Sequence, residues 1–397
     1  MAATETTTAV PPPGMETFTV GLIGMGDMGR LYALRLATAG WSVEAAAIGQ
    51  VVKQYGPSTK QGAIVGGQTS CKDPEIKAFE EYLPEDVQIV SCHSLHGPSV
   101  DTHGQPLVLI KHRASDEAFN KVETVLRCLG STHVYLTAEM HDRITADTQA
   151  VTHVAFLSMG KAWHASQQFP WEGARYVGGI ENVKINLMLR IYAQKWHVYA
   201  GLAIMNPEAR RQIAQYAAST TDLYKLMLEG RADELRQRVY RAREKVFGTA
   251  WEDTPLLDDN LLDRFGLGER PENILPNNHL SLLAMVDCWS ELGIVPYDHM
   301  LCSTPLFRLR LGVAESVFRD TAKLDEALRV AIEDNTFRSD DLEFTFAARG
   351  WAECVNLGHF ETWRERFVVT QNFFKPRFPE ANKVGNAMMK ALLESRQ

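Results

Sequence analysis

The sequence predicts an α/β domain followed by a mostly α-helical domain, and three observations lead to this fold class. A glycine-rich turn follows the apolar run at residues 18–23 and precedes a helical pattern. Further short apolar runs alternate with polar or helix-like stretches as far as about residue 140, which is α/β patterning. From His141 onward, apolar residues recur at helical spacing over long stretches, which is typical of packed helices.

The glycine turn predicts a dinucleotide-binding site. Its residues are Gly24, Met25, Gly26, Asp27, Met28 and Gly29. In such a turn the first glycine permits a tight bend, the second lets the backbone approach a pyrophosphate, and the third lets helix and strand pack closely. The phosphates then bind the N–H groups at the helix N-terminus. Because a strand precedes the turn and a helix stripe follows it, we expect a Rossmann-like domain; a glycine-rich structural turn is the alternative.

The remaining strands and helices follow from the apolar pattern. Strands are predicted at 63–65, 87–90, 107–110 and 133–136. One helical face is predicted to carry Ile144, Thr148, Val151, Ala155 and Ser158, and another Leu187, Ile191, Val198 and Leu202. The expected domains are a disordered tail at 1–16, a nucleotide-binding domain at 17–140 and a helical domain at 141–397.

Composition excludes several classes of protein. A net charge of −8 over 397 residues argues against a nucleic-acid or anionic-membrane surface. No stretch of the sequence approaches the ~18 to 20 apolar residues of a membrane span. Residues 1–16 contain no Arg or Lys, so they fit neither a transit peptide nor a signal peptide. We therefore expect a cytoplasmic protein.

Cysteine usage points the same way and predicts no metal. The six cysteines include no C-x-x-C pair, which is typical of free thiols in a reducing cytosol. A zinc site from Cys92, His93 and His96 would match no known ligand spacing.

Two candidate site residues follow predicted strands, where ligands bind in an open α/β sheet. Ser70 lies in the segment 66–72, which offers a hydroxyl and backbone N–H groups. His93 lies in the segment 91–98, where a nicotinamide ring is expected. A neutral histidine can accept a proton from a substrate hydroxyl, because its ordinary pKa is near ~6.5. The alternative for His93 is a turn histidine that caps nearby backbone.

Two more candidates lie in the helical domain. Arg190 interrupts a nearly apolar stretch, where a charge needs a partner. That partner is either a bound carboxylate, which a guanidinium can hold bidentately, or a structural ion pair. His153 lies on an otherwise apolar face, as core histidines often do, and Tyr199 is assigned to packing.

Several motifs, taken in order, closely resemble the fungal type of prephenate dehydrogenase. After the glycine turn these are QTSCK at 68–72, HSLHGP at 93–98, HDRITADTQAVTH at 141–153 and LRIYA at 189–193. The similarity extends from about residue 17 almost to the C-terminus, including 276–283 and 296–300.

This resemblance implies roles for the candidate residues. His93 matches the catalytic base that takes the ring hydroxyl proton of prephenate, and Ser70 a serine that hydrogen-bonds the same region. His153 matches a substrate-pocket histidine, and Arg190 an arginine that binds a substrate carboxylate. The implied reaction gives 4-hydroxyphenylpyruvate, in tyrosine biosynthesis, without a metal. The family also implies NADP as cofactor, with NAD left open, and a homodimer formed through the helical domain.

The chain departs from the family pattern after Trp41. Only residues 41–61 separate the first helix from the strand at 63–65, whereas one βαβ unit needs roughly 30 or more residues. In the relatives a second strand, a helix and a third strand precede the segment that matches Ser42 to Ala45. We therefore predict an internal deletion, a damaged cofactor site, and a first strand left at a sheet edge. Glu44 lies about 20 residues after Gly24, as a ribose-binding acid does, but the resemblance places it elsewhere.

Two other functions fit parts of the sequence. A β-hydroxyacid dehydrogenase or imine reductase would use the same turn and a lysine such as Lys184 behind Gly178 and Gly179. A catalytically impaired helical dimer is the other alternative, because the predicted deletion removes part of the cofactor domain.

Overall fold

The structure is a computed structural model. It describes residues 15, 19–23, 27–39, 42–46, 51–97, 100–172, 179–248, 256–257, 263–265, 267, 275–302 and 305–394. Gly24, Met25 and Gly26 of the predicted turn lie outside the described residues, and so does the predicted tail apart from Met15. The chain divides into two units, Met1–Asp142 and Arg143–Gln397.

The first unit alternates strands and helices, and it contains all five predicted strands. Its elements are β1 (Thr19–Ile23), α1 (Asp27–Thr38), β2 (Ser42–Ala46), α2 (Val51–Tyr55), β3 (Ile64–Val65), α3 (Asp73–Tyr82), β4 (Gln88–Ser94), β5 (Pro106–Arg113), α4 (Asp116–Leu126) and β6 (Thr132–Tyr135).

A four-stranded sheet forms the centre of this unit, in the order β3-β4-β5-β6. Strand β4 is parallel to β3 and antiparallel to β5, and β6 is parallel to β5. Leu107 and Leu109 of β5 are fully buried beside Tyr32 and Leu36 of α1. This apolar contact holds the first helix against the sheet. Helix α4 begins at Ser115, whose hydroxyl accepts a hydrogen bond from the N–H of Ala118 at 3.2 Å, as an N-cap residue does.

Strands β1 and β2 form a separate parallel pair, in register from Thr19 and Ser42 to Ile23 and Ala46. The segment after Trp41 thus forms a strand and gives β1 a neighbour on one side. Among the described residues no ladder joins this pair to the four-stranded sheet. Glu44 pairs with Gly21 in the middle of β2, so it does not lie at the carboxyl end of the strand, where ligands bind.

The second unit is helical. It contains most of α5 (Ala138–Ala165), followed by α6 (Ile180–Tyr192), α7 (Trp196–Met205), α8 (Pro207–Leu228), α9 (Ala232–Phe247), α10 (Leu280–Leu292), α11 (Pro305–Phe318), α12 (Thr321–Glu333), α13 (Arg338–Asn356), α14 (Phe360–Phe374) and α15 (Phe378–Glu394). Within the part of the chain that the structure describes, every helix is too short or too polar to cross a membrane.

Helix α10 lies in the core of this unit and packs against α8 and α9. Its residues are buried without a break from Leu280 to Ser290. Asp287 is among them, and its carboxylate accepts two hydrogen bonds from Arg238 at 2.7 and 2.8 Å. Burial of this carboxylate is tolerated because a bidentate cation compensates for the lost water.

One predicted helical face is wrong. Leu187 and Ile191 lie on α6, but Val198 and Leu202 lie on α7, and Val198 is 51% exposed. The break between the two helices is stabilised from a distance. The side-chain amide of Gln371 on α14 donates hydrogen bonds to the carbonyls of Tyr192 at 2.5 Å and of Gln194 at 3.2 Å. These are carbonyls that a helix end leaves without partners.

Candidate active site

His93 lies near the carboxyl end of β4 and is 9% exposed. Its Nδ1 lies 2.7 Å from Nε2 of His141, at the start of α5. Nδ1 of His141 lies 2.8 Å from Oδ1 of Asp142. The side chains of His93, His141 and Asp142 therefore form one buried hydrogen-bonded chain, which we call the relay.

The start of α3 anchors the far end of the relay. Oδ1 of Asp142 accepts a hydrogen bond from the backbone N–H of Lys72 at 2.7 Å, and Oδ2 accepts one from Asp73 at 2.8 Å. Burial acts to raise the pKa of Asp142, but hydrogen bonds from His141 and these two N–H groups outweigh it and hold the pKa below its usual value. Asp142 is therefore a carboxylate at neutral pH.

The direction of the relay follows from that carboxylate. An ionised Asp142 can only accept hydrogen bonds, so His141 donates through Nδ1–H. Burial lowers the pKa of His141, so its ring is neutral and its Nε2 carries a lone pair. His93 must then donate to it through Nδ1–H. Nε2 of His93 is left unprotonated, which is the form a general base needs.

Burial also keeps His93 neutral. It lowers the pKa of this histidine well below the ordinary value, with smaller contributions from His141, Lys72 and His96. Lys72 is fully buried, and its ammonium group binds the carboxylate of Glu75 at 3.1 Å and the carbonyl of Cys92 at 2.8 Å. A positive charge thus lies beside the residue that precedes His93 and opposes its protonation.

The predicted segment 66–72 runs beside β4, because the carbonyl of Gly67 accepts a hydrogen bond from the N–H of Cys92 at 3.0 Å. A Cβ atom on Gly66 would lie 2.0 Å from the carbonyl oxygen of Val90, so only glycine fits there. The N–H groups of Thr69 and Lys72 bind Glu75 and Asp142, and are not available to a ligand. Ser70 lies half-buried in a bend of this segment, and within the described residues its hydroxyl forms no hydrogen bond.

A second polar contact joins α1 to this end of the sheet. The hydroxyl groups of Tyr32 and Ser94 lie 2.8 Å apart, and the side-chain amide of Gln68 donates to both of them. Tyr32 lies on the helix that begins with Asp27, Met28 and Gly29 of the predicted turn. The helix that follows the glycine turn is thereby held beside the strand that carries His93.

The described part of the cofactor site fits a dinucleotide in one respect and not in another. Strand β1, helix α1 and the parallel strand β2 follow one another directly, and this is the arrangement that presents a helix N-terminus to a pyrophosphate. The ribose end does not fit, because Glu44 is mid-strand. No group of His, Cys, Asp or Glu among the described residues has a geometry that could hold a metal ion.

In the second unit, His153 on α5 lies against Tyr199 on α7. Their rings meet edge to face with centroids 4.9 Å apart. Burial lowers the pKa of His153 well below the ordinary value, and the charge of Arg310 lowers it further. Burial raises the pKa of Tyr199 to about 12. Both rings are therefore neutral at physiological pH, and Tyr199 contacts a candidate residue rather than serving packing alone.

Arg190 lies half-buried in the last turn of α6, and it forms no ion pair or hydrogen bond within the described part of the chain. The alternative of a structural ion pair for Arg190 is therefore not supported. Lys184, on the same helix, differs: it is buried and its ammonium group lies 2.8 Å from Oε1 of Glu181. The lysine that a β-hydroxyacid dehydrogenase would need is engaged in a buried ion pair.

Sequence reasoning missed three residues of these arrangements. His141 and Asp142 were part of a motif but received no role, because their contact with His93 spans 48 residues of sequence. Arg310 was also missed, although it interrupts an apolar stretch from Phe307 to Val313 much as Arg190 does. The criterion that identified Arg190 could therefore have identified Arg310.

Comparisons with known proteins agree on one family. A family model described as a 6-phosphogluconate dehydrogenase C-terminal domain matches residues 150–394. A probable prephenate dehydrogenase [NADP(+)] of Schizosaccharomyces pombe is 53% identical over 427 residues and covers 96% of this chain and 99% of its own. The prephenate dehydrogenase [NADP(+)] of Saccharomyces cerevisiae is 48% identical, covering 95% of this chain and 94% of its own.

Among solved structures, prephenate dehydrogenase from A. aeolicus, in complex with hydroxyphenyl propionate and NAD+, aligns with a TM-score of 0.45 at 15% identity, covering 57% of this chain and 96% of its own. The two yeast relatives match nearly the whole chain at high identity. The chain therefore belongs to the prephenate dehydrogenase family.

Proposed function

We propose that this chain catalyses the oxidative decarboxylation of prephenate to 4-hydroxyphenylpyruvate, with NADP as cofactor, in tyrosine biosynthesis. The observation that carries the proposal is the relay, because it leaves Nε2 of His93 unprotonated on a buried strand end. The yeast relatives bear the name of this activity and of this cofactor.

The chemistry needs one base and two carboxylate contacts. Nε2 of His93 takes the proton of the ring hydroxyl while the C–H bond at the same carbon breaks. When bound, the nicotinamide accepts the hydride from that carbon. The ring carboxylate then leaves as carbon dioxide, and the electron pair of the broken C–C bond completes the aromatic ring. The protonated His93 can return its proton to the new phenolate oxygen, so the base is regenerated in each turnover.

The other candidate residues position the substrate. Ser70 donates a hydrogen bond near the ring hydroxyl, and its unengaged side chain supports this role. Arg190 binds a carboxylate, which its lack of a partner within the described residues favours. His153 contacts the substrate as a neutral ring. We further propose that the protein acts in the cytoplasm as a homodimer; its six cysteines, all within the described residues, are free thiols, which suits a reducing compartment.

We propose that the cofactor domain carries an internal deletion, which weakens NADP binding. The alignment with the S. pombe relative extends over 427 residues, more than the 397 of this chain, so it contains gaps on this side. The ribose end of the site lacks an acidic residue at the carboxyl end of β2. Sequencing the transcript across the junction of Trp41 and Ser42 establishes whether the deletion is biological.

The test of the proposed function is NADPH formation from prephenate at high NADP concentration. We expect turnover by the unchanged chain and a fall in kcat of about 10²- to 10⁴-fold for His93→Asn, the usual contribution of a general base. His96→Asn is the matched control, since it removes a second histidine three residues away and should leave kcat unchanged. If Lys184→Ala abolishes turnover and His93→Asn does not, the proposal is wrong.

A further inference from the structure

Arg310 on α11 is a buried cation without an internal partner among the described residues. The residue is 7% exposed, and its Nε is shut off from solvent with no hydrogen-bond partner. Within the same part of the chain its guanidinium forms no ion pair and no hydrogen bond. Burying an ion costs several kcal/mol unless a partner compensates for the lost water.

Other buried cations of this chain do have such partners. Lys72 is paired with Glu75, and Lys184 with Glu181. Arg238, which is partly buried, is paired with Asp287. Arg310 is an exception to a rule that these residues follow. A bound anion would supply the missing partner.

The neighbours of Arg310 reinforce this conclusion. Helix α11 packs against α6, which carries the equally unpaired Arg190. Burial lowers the pKa of Arg310 to about 10; Tyr199 acts to raise it and the charge of Arg190 lowers it further. His153 lies within reach of the same charge. Two arginines thus repel each other beside two neutral rings, an arrangement that a molecule with two negative charges would stabilise.

We propose that Arg310 is a second carboxylate-binding residue of the substrate site, and that it binds the side-chain carboxylate of prephenate, which remains in the product. Arg190 then binds the ring carboxylate, which leaves as carbon dioxide. This inference rests on the proposed function, because prephenate is the dicarboxylate that it names.

The assignment of the two carboxylates follows from their chemistry. The ring carboxylate loses its negative charge during the reaction, so holding it strongly would stabilise the ground state and slow the reaction. The side-chain carboxylate keeps its charge throughout, and strong binding there does not hinder the chemical step. A buried guanidinium binds more strongly than a half-buried one, because less water competes for it. Arg310 is the more buried of the two.

Calorimetric titration of the full-length protein tests this inference without turnover. The ligands are prephenate, with two carboxylates, and 4-hydroxyphenylpyruvate, which keeps only the side-chain one. We expect Arg310→Gln to weaken binding of both ligands by about 10- to 100-fold, the effect of a lost charge-assisted pair. Arg190→Gln should weaken prephenate binding by a similar factor and leave product binding unchanged.

Arg308→Gln is the matched control, because Arg308 lies on the same helix two residues away and is exposed. It should leave both affinities unchanged. Thermal unfolding separates a ligand-binding role from a structural one. Removing an unpaired buried charge should leave the melting temperature of Arg310→Gln unchanged or higher, whereas loss of a structural arginine lowers it. Arg310→Lys, which keeps the charge but not the bidentate geometry, should bind with intermediate affinity and serves if the Gln variant does not fold.

The outcomes distinguish the two proposals. If the unchanged chain binds neither ligand, the proposed function fails and this inference fails with it. If the unchanged chain binds both and Arg310→Gln binds them equally well, the inference is overturned and the proposed function stands. If Arg190→Gln loses product binding while Arg310→Gln keeps it, the assignment of the carboxylates is wrong.

Discussion

The two units of this molecule treat their buried polar groups in opposite ways. In the first unit, each link from His93 through His141 and Asp142 to the start of α3 is hydrogen-bonded. In the second unit, Arg190 and Arg310 have no partner among the described residues. A satisfied chain fixes a proton-accepting atom before the substrate arrives, while an unsatisfied cluster is completed only by the substrate.

This difference separates the catalytic task from the recognition task. A general base must have the right protonation state in advance, and internal hydrogen bonds provide it at no reorganisation cost. A recognition group must prefer the ligand to its own protein, and an internal carboxylate would compete with the substrate. We therefore expect substitutions in the relay to affect kcat and substitutions in the arginine pair to affect binding.

The largest effect is expected from breaking the relay at its far end. In Asp142→Asn the amide can donate to His141, which reverses the relay and places a proton on Nε2 of His93. A base in the wrong tautomer is inactive, so kcat should fall by about 10²- to 10⁴-fold with KM little changed. Steady-state kinetics measure both constants. Asp142 acts through His141 and is a positioning residue rather than a catalytic one.

Asp147→Asn is the control for that variant. Asp147 lies on the same helix, and its carboxylate also binds a histidine, with 2.9 Å between Oδ2 and Nε2 of His299. Both variants should lower thermal stability, but only Asp142→Asn should lower kcat. Equal losses of kcat in the two variants would mean that Asp142 contributes stability alone.

An intermediate effect is expected in cofactor binding, where we expect the first unit to be incomplete. Isothermal titration should give an affinity for NADP that is weaker, by about tenfold or more, than the micromolar range usual for substrates and cofactors. Prephenate binding, which depends on the second unit, should stay in that range. NADP affinity in the micromolar range would contradict the prediction of a damaged cofactor site.

The smallest effect is a displacement of the pH profile. The pKa of His93 is lowered by burial, so the neutral base remains available as the pH falls through the ordinary histidine value. The acidic limb of kcat/KM should therefore lie below about pH 6.5. Initial rates between neutral and acidic pH measure it. A limb at or above that value would mean that His93 is not desolvated in the active protein.

Features encoded in local sequence could be predicted. Each predicted strand is a run of apolar residues between polar stretches, and burial of Leu107 and Leu109 is the expected result. The position of His93 near a strand end followed from the same pattern. The 28-residue helix α5 was indicated by its periodicity.

Features that depend on distant contacts could not be predicted. The end of α6 is stabilised by Gln371, 179 residues after Tyr192, and no local signal marks it. The pairing of β2 with β1 follows the junction after Trp41, where the sequence departs from the family pattern, so the family's order of elements gave no guide to it. The relay combines residues on β4 and α5 with the first N–H groups of α3, and only the fold brings these three elements together.

The most direct test of the central claim is the protonation state of His93 itself. Nitrogen-15 NMR of the histidine-labelled protein, with His93→Asn and His141→Asn used for assignment, reports which ring nitrogen carries the proton. At neutral pH we predict a neutral His93 ring with the proton on Nδ1 and a lone pair on Nε2. A proton on Nε2, or a doubly protonated ring, would contradict the account.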